Sequence, residues 1–311
     1  MYAGMHSPDA RNGRQPHMKA EEASWTAQLN ALFRAIESSR WPRGRRLFND
    51  PFAHRFLTTL RWAYLLSRVP LFGRLMPRYI DREGPGVRPS ALGRTCWIDE
   101  QLSSALRGGI GQVAILGAGY DCRAYRIPEM KGIRVFELDH PNTLALKVER
   151  LRSLLDPLPE NVTFVEVDFD RQDFSHLLLD SGFDRSKPSF FLWEGVMHYL
   201  TADSVDKTLR QLSSLSSPGS RLVFTYIHRG LLDGSESFGN LGHIPEALQD
   251  ASETWTFGLR PEELKGFLSG RGFSLVTDIG SVEYRARFMG PSGSHLKGFE
   301  FYRAALAEVI A

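Results

Sequence analysis

Glycines and acidic residues stand where the apolar runs in the middle of this chain end. Gly117 and Gly119 follow the run QVAIL at 112–116. The acids close the next three runs, and they are Glu137 and Asp139 in FELDHP, Asp168 after VTFVEV, and Glu194 after SFFLW. Glycine lets a turn adopt positive φ or approach a ligand closely. A carboxylate about twenty residues beyond such a turn can accept hydrogen bonds from a ribose. The pattern predicts a nucleoside ligand at one edge of a sheet.

The third glycine of a dinucleotide site is missing from this turn. Such sites continue to a third glycine so that a helix N-terminus can face a pyrophosphate, and here Cys122 occupies that position. A ribose without a pyrophosphate indicates S-adenosyl-L-methionine rather than a nicotinamide dinucleotide. Two simpler interpretations stay open, because Gly117 and Gly119 can form a tight turn and Asp139 can cap the helix that begins near Pro141.

Short apolar runs alternate with helical patterns beyond residue 110, which indicates a parallel sheet covered on both faces. The runs lie at 112–116, 134–138, 162–167, 189–193 and 221–227. A helix is predicted near 261–271, and the runs at 273–279 and 299–310 are expected to close the sheet as a terminal hairpin. The last run fits either a strand or a helix. Helical patterns over 24–36 and 50–69 come before the sheet, and the Pro- and Gly-rich stretch 81–90 closes them off.

The composition is that of an ordinary globular protein. The chain has 311 residues, 42% of them hydrophobic and 24% charged, and its formal net charge is +2. This charge is too small to indicate nucleic acid, and we interpret the basic cluster at 40–46 as a solvated loop. Arginines interrupt the apolar stretch 61–76, so we expect no membrane span and no membrane partner. Residues 1–22 are polar and predicted to be a disordered leader.

The two cysteines carry no metal or disulfide pattern. Cys96 and Cys122 lie far apart, and neither has the spacing of paired ligands. We therefore predict a reducing, cytoplasmic setting and no metal site.

Three blocks resemble the leucine carboxyl methyltransferase-like family of class I methyltransferases, which includes bacterial polyketide O-methyltransferases. They are LGAGYDCRAYR, FELDHP and LWEGVMHYLT, and the resemblance runs from about residue 24 to the end. It implies a Rossmann-like α/β fold whose seven-stranded, mostly parallel sheet has one antiparallel strand. It also implies a helical N-terminal cover at 23–90 and a methyltransferase domain at 91–311, with an insertion at about 228–260 over the active site.

The resemblance also implies which residues bind S-adenosyl-L-methionine. Gly117 and Gly119 would approach its methionine part, and Asp139 would hold its ribose. Asp168 and Phe169 would flank the adenine.

Two more cofactor contacts follow from the resemblance. Glu194 would face the cofactor from the fourth strand. Arg94, in GRTCWIDE, occupies the place of an arginine that grips the cofactor carboxylate, which suits a bidentate guanidinium. An exposed linker side chain is the alternative for Arg94. The chain departs from the family at Cys122, where threonine is usual, and at His198, where an apolar residue is more common.

Methyl transfer from a sulfonium is an in-line displacement, so the protein must align the nucleophile and exclude water. No metal is required. A carboxylate acceptor is already ionised at neutral pH, whereas a phenol, with a pKa of about 10, benefits from a general base. His198, just beyond the fourth strand, and His228, just beyond the fifth, are the candidate bases. The alternative for each is a hydrogen bond within its own loop.

The segment 228–260 is long for a loop, so we expect it to carry structure of its own over the active site. Aromatic residues in this segment and in the N-terminal helices can line an apolar pocket or form the core of the cover. They are Phe238, Trp255, Phe257, Trp25, Phe33 and Trp41. We predict that Tyr199, Trp255 and Phe257 contact the acceptor.

The sequence therefore predicts an O-methyltransferase that acts on a hydroxyl or carboxyl group of a small, aromatic or polyketide-like natural product. Two alternatives stay open. A protein C-terminal carboxyl methyltransferase would show an open, deep slot with a cationic clamp, and a cofactor-binding module without turnover would keep only the binding residues. A serine hydrolase is disfavoured, because no Gly-x-Ser-x-Gly elbow occurs.

Overall fold

A seven-stranded sheet forms the centre of the protein. The computed structural model describes residues 25–39, 46–169, 171–238, 255–290 and 296–310. The strands are β1 Gln112–Leu116, β2 Arg134–Asp139, β3 Val162–Glu166, β4 Ser189–Trp193, β5 Arg221–Ile227, β6 Phe273–Ile279 and β7 Tyr302–Val309. Their order is β3-β2-β1-β4-β5-β7-β6, and β7 runs antiparallel to both of its neighbours. The predicted Rossmann-like sheet, mostly parallel with one antiparallel strand, is confirmed.

Helices cover both faces of this sheet and precede it. They are α1 Trp25–Ser39, α2 Arg61–Ser67, α3 Pro70–Glu83, α4 Val87–Arg107, α5 Arg123–Arg126, α6 Pro141–Arg152, α7 Phe174–Asp180, α8 Ala202–Ser214, α9 Arg229–Leu232, α10 Pro261–Ser269 and α11 Ser281–Phe288. None of the helices in the described part combines the length and the apolar character that crossing a bilayer requires.

Strand β4 shows why the sheet has two cores. Its five residues are all buried, and alternate side chains point to opposite faces. Phe191 and Trp193 pack with apolar residues of α7, α8 and α10, whereas Phe190 and Leu192 pack with those of α4 and α11. Burial on both faces makes the parallel strands continuously apolar in sequence.

The predicted helix over 50–69 is interrupted. The Asp50 side chain accepts hydrogen bonds from the backbone N–H groups of Phe52 and Ala53, and a 3₁₀ turn follows at Ala53–Phe56. The backbone N–H groups of Thr58 and Thr59 then donate to the side-chain oxygen of Gln28 in α1. Side chains thus satisfy the backbone groups that a continuous helix would have paired internally.

The stretch 81–90 is mostly helical, in contrast to the predicted break. Only residues 84–86 separate α3 from α4. Pro89 lies in the first turn of α4, where the N–H group that proline lacks has no partner within the helix. Helix α4 therefore runs through the boundary predicted at residue 90.

The last apolar run is a strand, which resolves its ambiguity. Strands β6 and β7 pair antiparallel, but helix α11, which the sequence analysis did not predict, lies between them. They therefore do not form a tight hairpin. The predicted leader 1–22, Trp41, most of the basic cluster and residues 239–254 of the insertion lie outside the described residues.

Candidate functional site

A cavity opens at the carboxyl ends of β1 and β4, next to the point where the strand order reverses. Its walls come from α1, from α4, from the turn after β1, from the segment after β4 and from the chain just before β7. The residues that line it include Asn30, Phe33, Arg34, Arg94, Gly117, Gly119, Tyr120, Glu194, Val196, His198, Tyr199, Trp255, Phe299, Phe301 and Tyr302.

The turn after β1 depends on its first glycine. Gly117 has φ of 66°, and a Cβ built there would lie 2.3 Å from Val196 Cγ2. A larger residue at 117 would therefore meet both backbone strain and a collision. Val196 occupies the space that a side chain at 117 would need, so this tight turn requires glycine.

Asp139, at the end of β2, fixes this turn from behind. Its Oδ2 accepts a hydrogen bond from Gly119 N at 2.6 Å, and its Oδ1 accepts one from His140 N at 2.7 Å. Burial raises the pKa of Asp139, and the two N–H groups oppose that shift. Asp139 does not cap α6, because His140 is the N-cap and its Nδ1 accepts from Asn142 N. Asp139 itself is not among the lining residues, although Gly119, which it holds, is one of them.

Arg94 and Glu194 form an ion pair in the cavity wall. Arg94 Nε donates to Glu194 Oε1 at 2.7 Å, and Arg94 Nη2 donates to Asn30 Oδ1 at 3.3 Å. Arg123 Nη1 donates to the other carboxylate oxygen of Glu194 at 2.8 Å. Burial alone would raise the pKa of Glu194, but Arg123 and Arg94 lower it to about 2. The carboxylate therefore stays ionised and binds two cations.

The arginines of the LGAGYDCRAYR block extend this network away from the cavity. Arg123 also pairs with Asp121 and, through Nε, with Asp99 Oδ1 at 2.8 Å. Arg126 donates to both oxygens of Asp99 at 2.7 Å. Bidentate pairs of this kind stabilise buried charges by hydrogen bonding on both sides. Arg123 and Arg126, two residues of this block, therefore stabilise the structure beneath the cavity.

His198 lies in a 3₁₀ turn at Met197–Tyr199 and is only 2% exposed. Its ring centroid lies 4.3 Å from that of Tyr199, 5.8 Å from that of Trp255 and 5.5 Å from that of Tyr302. Its Nδ1 is buried without a hydrogen-bond partner among the described residues. Burial and then the Arg94 cation lower the pKa of His198 to about 3. The imidazole is therefore neutral at physiological pH.

Besides Asp139, four predicted site residues do not line the cavity. Asp168 pairs with Arg171, and Phe169 packs edge-on against Phe174, both beyond β3. His228 caps α9, because its Nδ1 accepts from Gly230 N at 3.1 Å. Phe257 is a core residue that packs against Phe267. For His228 this is the alternative interpretation, a hydrogen bond within its own loop.

Two of the predicted aromatic wall residues, Phe33 and Trp255, line the cavity, as does Tyr199. Trp25 packs in a separate core cluster, and Phe238 packs against His228 and Phe301.

The sequence analysis missed the aromatic wall that precedes β7. Phe299 and Phe301 stack with ring centroids 4.8 Å apart, and both line the cavity. It also missed the polar face of α1, although a signal was present. Asn30 and Arg34 are four residues apart and share a helix face opposite the apolar one. Arg34 donates to Asp50 Oδ2 at 3.0 Å and to the carbonyl of Tyr120 at 2.6 Å.

Similar proteins point to one family. The chain is 35% identical to a candidate S-adenosyl-L-methionine-dependent methyltransferase of Mycobacterium avium (strain 104) over 216 residues, which is 65% of this chain and 64% of that protein. It is 34% identical to another candidate from Streptomyces avermitilis over 266 residues, 85% of this chain and 87% of the relative.

A solved structure agrees on the fold. A candidate methyltransferase from Thermobifida fusca YX superimposes with a TM-score of 0.54 at 17% identity, covering 91% of this chain and 95% of that one. The sequence profile of leucine carboxyl methyltransferases matches residues 27–213. The family inferred from the sequence blocks is thus confirmed, and its polyketide branch stays a prediction. The chain belongs to the leucine carboxyl methyltransferase family.

Proposed function

We propose that this protein transfers a methyl group from S-adenosyl-L-methionine to a hydroxyl or carboxyl oxygen of a small, aromatic or polyketide-like acceptor. The sequence predicts this cofactor, and the names of both relatives include it. Gly117 and Gly119 line the cavity without side chains, which leaves room for such a ligand to approach the backbone closely. When bound, the cofactor supplies an electrophilic methyl group on a sulfonium.

Arg94 and Asp139 are the side chains that we assign to the cofactor. Arg94 Nη1 makes no hydrogen bond to any described residue, so it has N–H groups available for a carboxylate while Nε stays on Glu194. Each carboxylate oxygen of Asp139 accepts a hydrogen bond from one backbone N–H group, so each keeps a lone pair for a ribose hydroxyl. Asp168 and Phe169 remain proposals for the adenine end.

His198 is the observation that carries the proposed chemistry. It is a buried, neutral imidazole in the cavity wall, and its Nδ1 has no partner among the described residues. A pKa of about 3 makes it a weak base. We therefore assign it to accept a hydrogen bond from an acceptor hydroxyl and to orient that oxygen. A carboxyl acceptor would need no such help.

The cavity walls favour a small acceptor over a protein tail. Phe33, Tyr199, Trp255 and Phe301 are available for apolar contact. Among the described residues, two arginines line the cavity: Arg34, which pairs with Asp50, and Arg94, whose remaining N–H groups we assign to the cofactor. Neither is then left to clamp a protein carboxylate. Protein carboxyl methylation nevertheless stays the second candidate, because it is the activity that the family name describes.

Release of S-adenosylhomocysteine in the presence of phenols, carboxylic acids and peptides tests the proposal. We expect turnover with an aromatic hydroxyl or carboxyl acceptor. His198→Ala, which removes the accepting nitrogen, should lower kcat at least about tenfold with a phenol and little with a carboxylic acid. His176→Ala, at an exposed position in α7, is the matched control.

Three results would change the assignment. Turnover with peptides alone would favour the protein carboxyl methyltransferase. Cofactor binding without turnover on any acceptor would favour a binding module. Unchanged turnover of His198→Ala with a phenol across pH would remove His198 from the mechanism.

A further inference from the structure

Helices α2 and α3 present large apolar side chains to solvent. Seven such residues lie within 18 positions of the chain and are 44% to 65% exposed, and α3 buries no residue at all. We call these residues the hairpin face, and they are Trp62, Leu65, Val69, Leu71, Phe72, Leu75 and Tyr79. Exposed apolar residues scattered singly need no explanation, but a contiguous group marks an interaction surface.

The face is a regular feature of α3 and not a poorly packed core. With 100° per residue, Leu71, Phe72, Leu75 and Tyr79 fall within an arc of about 100°. On the inner side of α3, Met76 and Ile80 pack against the apolar cluster that also contains residues of α1. Helix α3 therefore has one apolar side that packs against the protein and a second apolar side that is exposed to solvent.

The two helices are held together closely, so the face is preformed. A Cβ built on Gly73 of α3 would lie 2.3 Å from the carbonyl oxygen of Ser67 at the end of α2. Gly73 N donates to the carbonyl of the N-cap Val69 at 2.8 Å, so α3 is regular from its first turn. Binding to this face requires no folding of the hairpin.

Positive charge surrounds the face. Residues 61–80 contain no Asp or Glu and four arginines, all exposed, and none of these arginines forms an ion pair within the described part of the chain. They are Arg61, Arg68, Arg74 and Arg78. Arg74 and Arg78 lie along one edge of the apolar arc of α3. A second copy of the chain would bring equal charges together, which argues against self-association through this face.

We propose that the hairpin face binds the surface of membranes that contain anionic lipids. Trp, Phe and Leu side chains on one face with arginines beside them are typical of helices that lie in the membrane interface. The apolar side chains would enter the boundary between headgroups and acyl chains, and the arginines would contact lipid phosphates. This is a surface contact, so it differs from the membrane span that the arginines at 61–76 exclude. It replaces our expectation of no membrane partner.

Vesicle co-sedimentation of the full-length protein tests this inference and requires neither cofactor nor turnover. Vesicles of phosphatidylcholine alone are compared with vesicles of phosphatidylcholine and phosphatidylglycerol. We expect binding to the anionic vesicles that weakens as salt is raised. At about 1 kcal/mol per arginine, Arg74→Glu/Arg78→Glu should weaken binding at least about thirtyfold. Trp62→Ser/Phe72→Ser should weaken it as well.

Matched variants separate the face from total charge and apolar area. Lys131→Glu/Arg185→Glu makes the same charge change at exposed positions elsewhere and should bind like the wild type. Val276→Ser/Val282→Ser removes exposed apolar side chains elsewhere and should also bind normally. Circular dichroism of each variant verifies that the chain is folded.

Several outcomes would overturn the inference. One is equal binding to neutral and anionic vesicles, and another is equal loss in the control variants. A third is a dimer in sedimentation velocity that Trp62→Ser/Phe72→Ser dissociates, since the face would then join two copies. Absence of vesicle binding by the folded wild type would also contradict it. So would binding of an acidic protein through Arg74 and Arg78 under conditions in which the protein does not bind vesicles.

Discussion

Arg94 Nε lies 2.7 Å from Glu194 Oε1, and both residues line the cavity. The sequence analysis assigned each of them separately to the cofactor. The structure instead pairs them, and Arg123 holds the second oxygen of Glu194. Glu194 thus orients Arg94, and Nη1 of Arg94 stays the atom that we propose for the cofactor carboxylate.

Arg94→Lys should weaken binding of S-adenosylhomocysteine at least about tenfold, measured by isothermal titration calorimetry. A single ammonium cannot keep the Glu194 bond and also offer a planar pair of N–H groups to a second carboxylate. Arg107→Lys is the matched control, because Arg107 pairs with Glu129 in an exposed position. Equal affinities of Arg94→Lys and the wild type would refute a cofactor contact by Arg94.

Acid should destabilise the protein through two groups of the site. The pKa of His198 falls from 6.5 to about 3, so between these values the unfolded state binds a proton that the native state does not. The free energy of unfolding therefore decreases as pH falls through this window, because His198 is protonated only in the unfolded state. The pKa of Glu194 falls from 4.5 to about 2, so its ion pairs stabilise the fold above pH 4.5 and lose effect as pH falls toward 2.

Urea unfolding at pH 7.5, 6 and 5 measures the first of these effects. His198→Gln should show a smaller decline in the free energy of unfolding with acid than the wild type. His176→Gln, which changes an exposed imidazole in α7, should decline as the wild type does. The same decline in all three proteins would show that His198 titrates normally in the folded state.

The sheet and its binding edge could be predicted from the sequence because their signals are local. Strands β1, β4 and most of β5 are buried, which produces uninterrupted apolar runs. Helix α3 could not be predicted in this way. It begins with a proline, contains Pro77 and buries no residue, so its composition is that of a loop and its pattern lacks a core-facing side.

Pairings between distant residues account for most of what the sequence missed in the site. Arg94 and Glu194 are 100 positions apart, and no spacing rule connects them. Asp139 and Gly119, in contrast, can be placed at the same edge of the sheet from the sequence, because parallel strands end there together, and the structure joins them by a hydrogen bond. The same rule suggests His228 as a base, but its Nδ1 caps α9, which is the alternative that the sequence left open.

Removing one partner of the buried ion pair under the glycine turn should destabilise the protein strongly. Lys147 Nζ lies 2.8 Å from Glu137 Oε2, both side chains are fully buried, and the ammonium also donates to the carbonyl of Ala118 at 3.2 Å. Lys147→Met would leave a buried carboxylate without its cation and should cost about 3–5 kcal/mol in urea unfolding.

Two further variants define the origin of that loss. Glu137→Leu/Lys147→Met should recover much of it, because replacing both charges by apolar groups removes the unpaired ion. Lys265→Met, at an exposed position of α10, should have little effect. A loss in Lys147→Met that the double variant does not reduce would point to side-chain volume and not to charge.

Gly117→Ala should destabilise the turn through strain and collision together, and each can be measured separately. The φ of 66° costs about 1–2 kcal/mol for an L-residue, and the new Cβ would lie 2.3 Å from Val196 Cγ2. Gly117→Ala/Val196→Ala removes the collision and should restore part of the stability and of the affinity for S-adenosylhomocysteine.

Gly109→Ala is the control for strain alone, because Gly109 has φ of 98° and a Cβ there would meet no atom within 4 Å. It should lower stability while leaving the affinity unchanged. If Gly117→Ala/Val196→Ala lost as much stability as Gly117→Ala, the positive φ and not the contact with Val196 would explain why position 117 needs glycine.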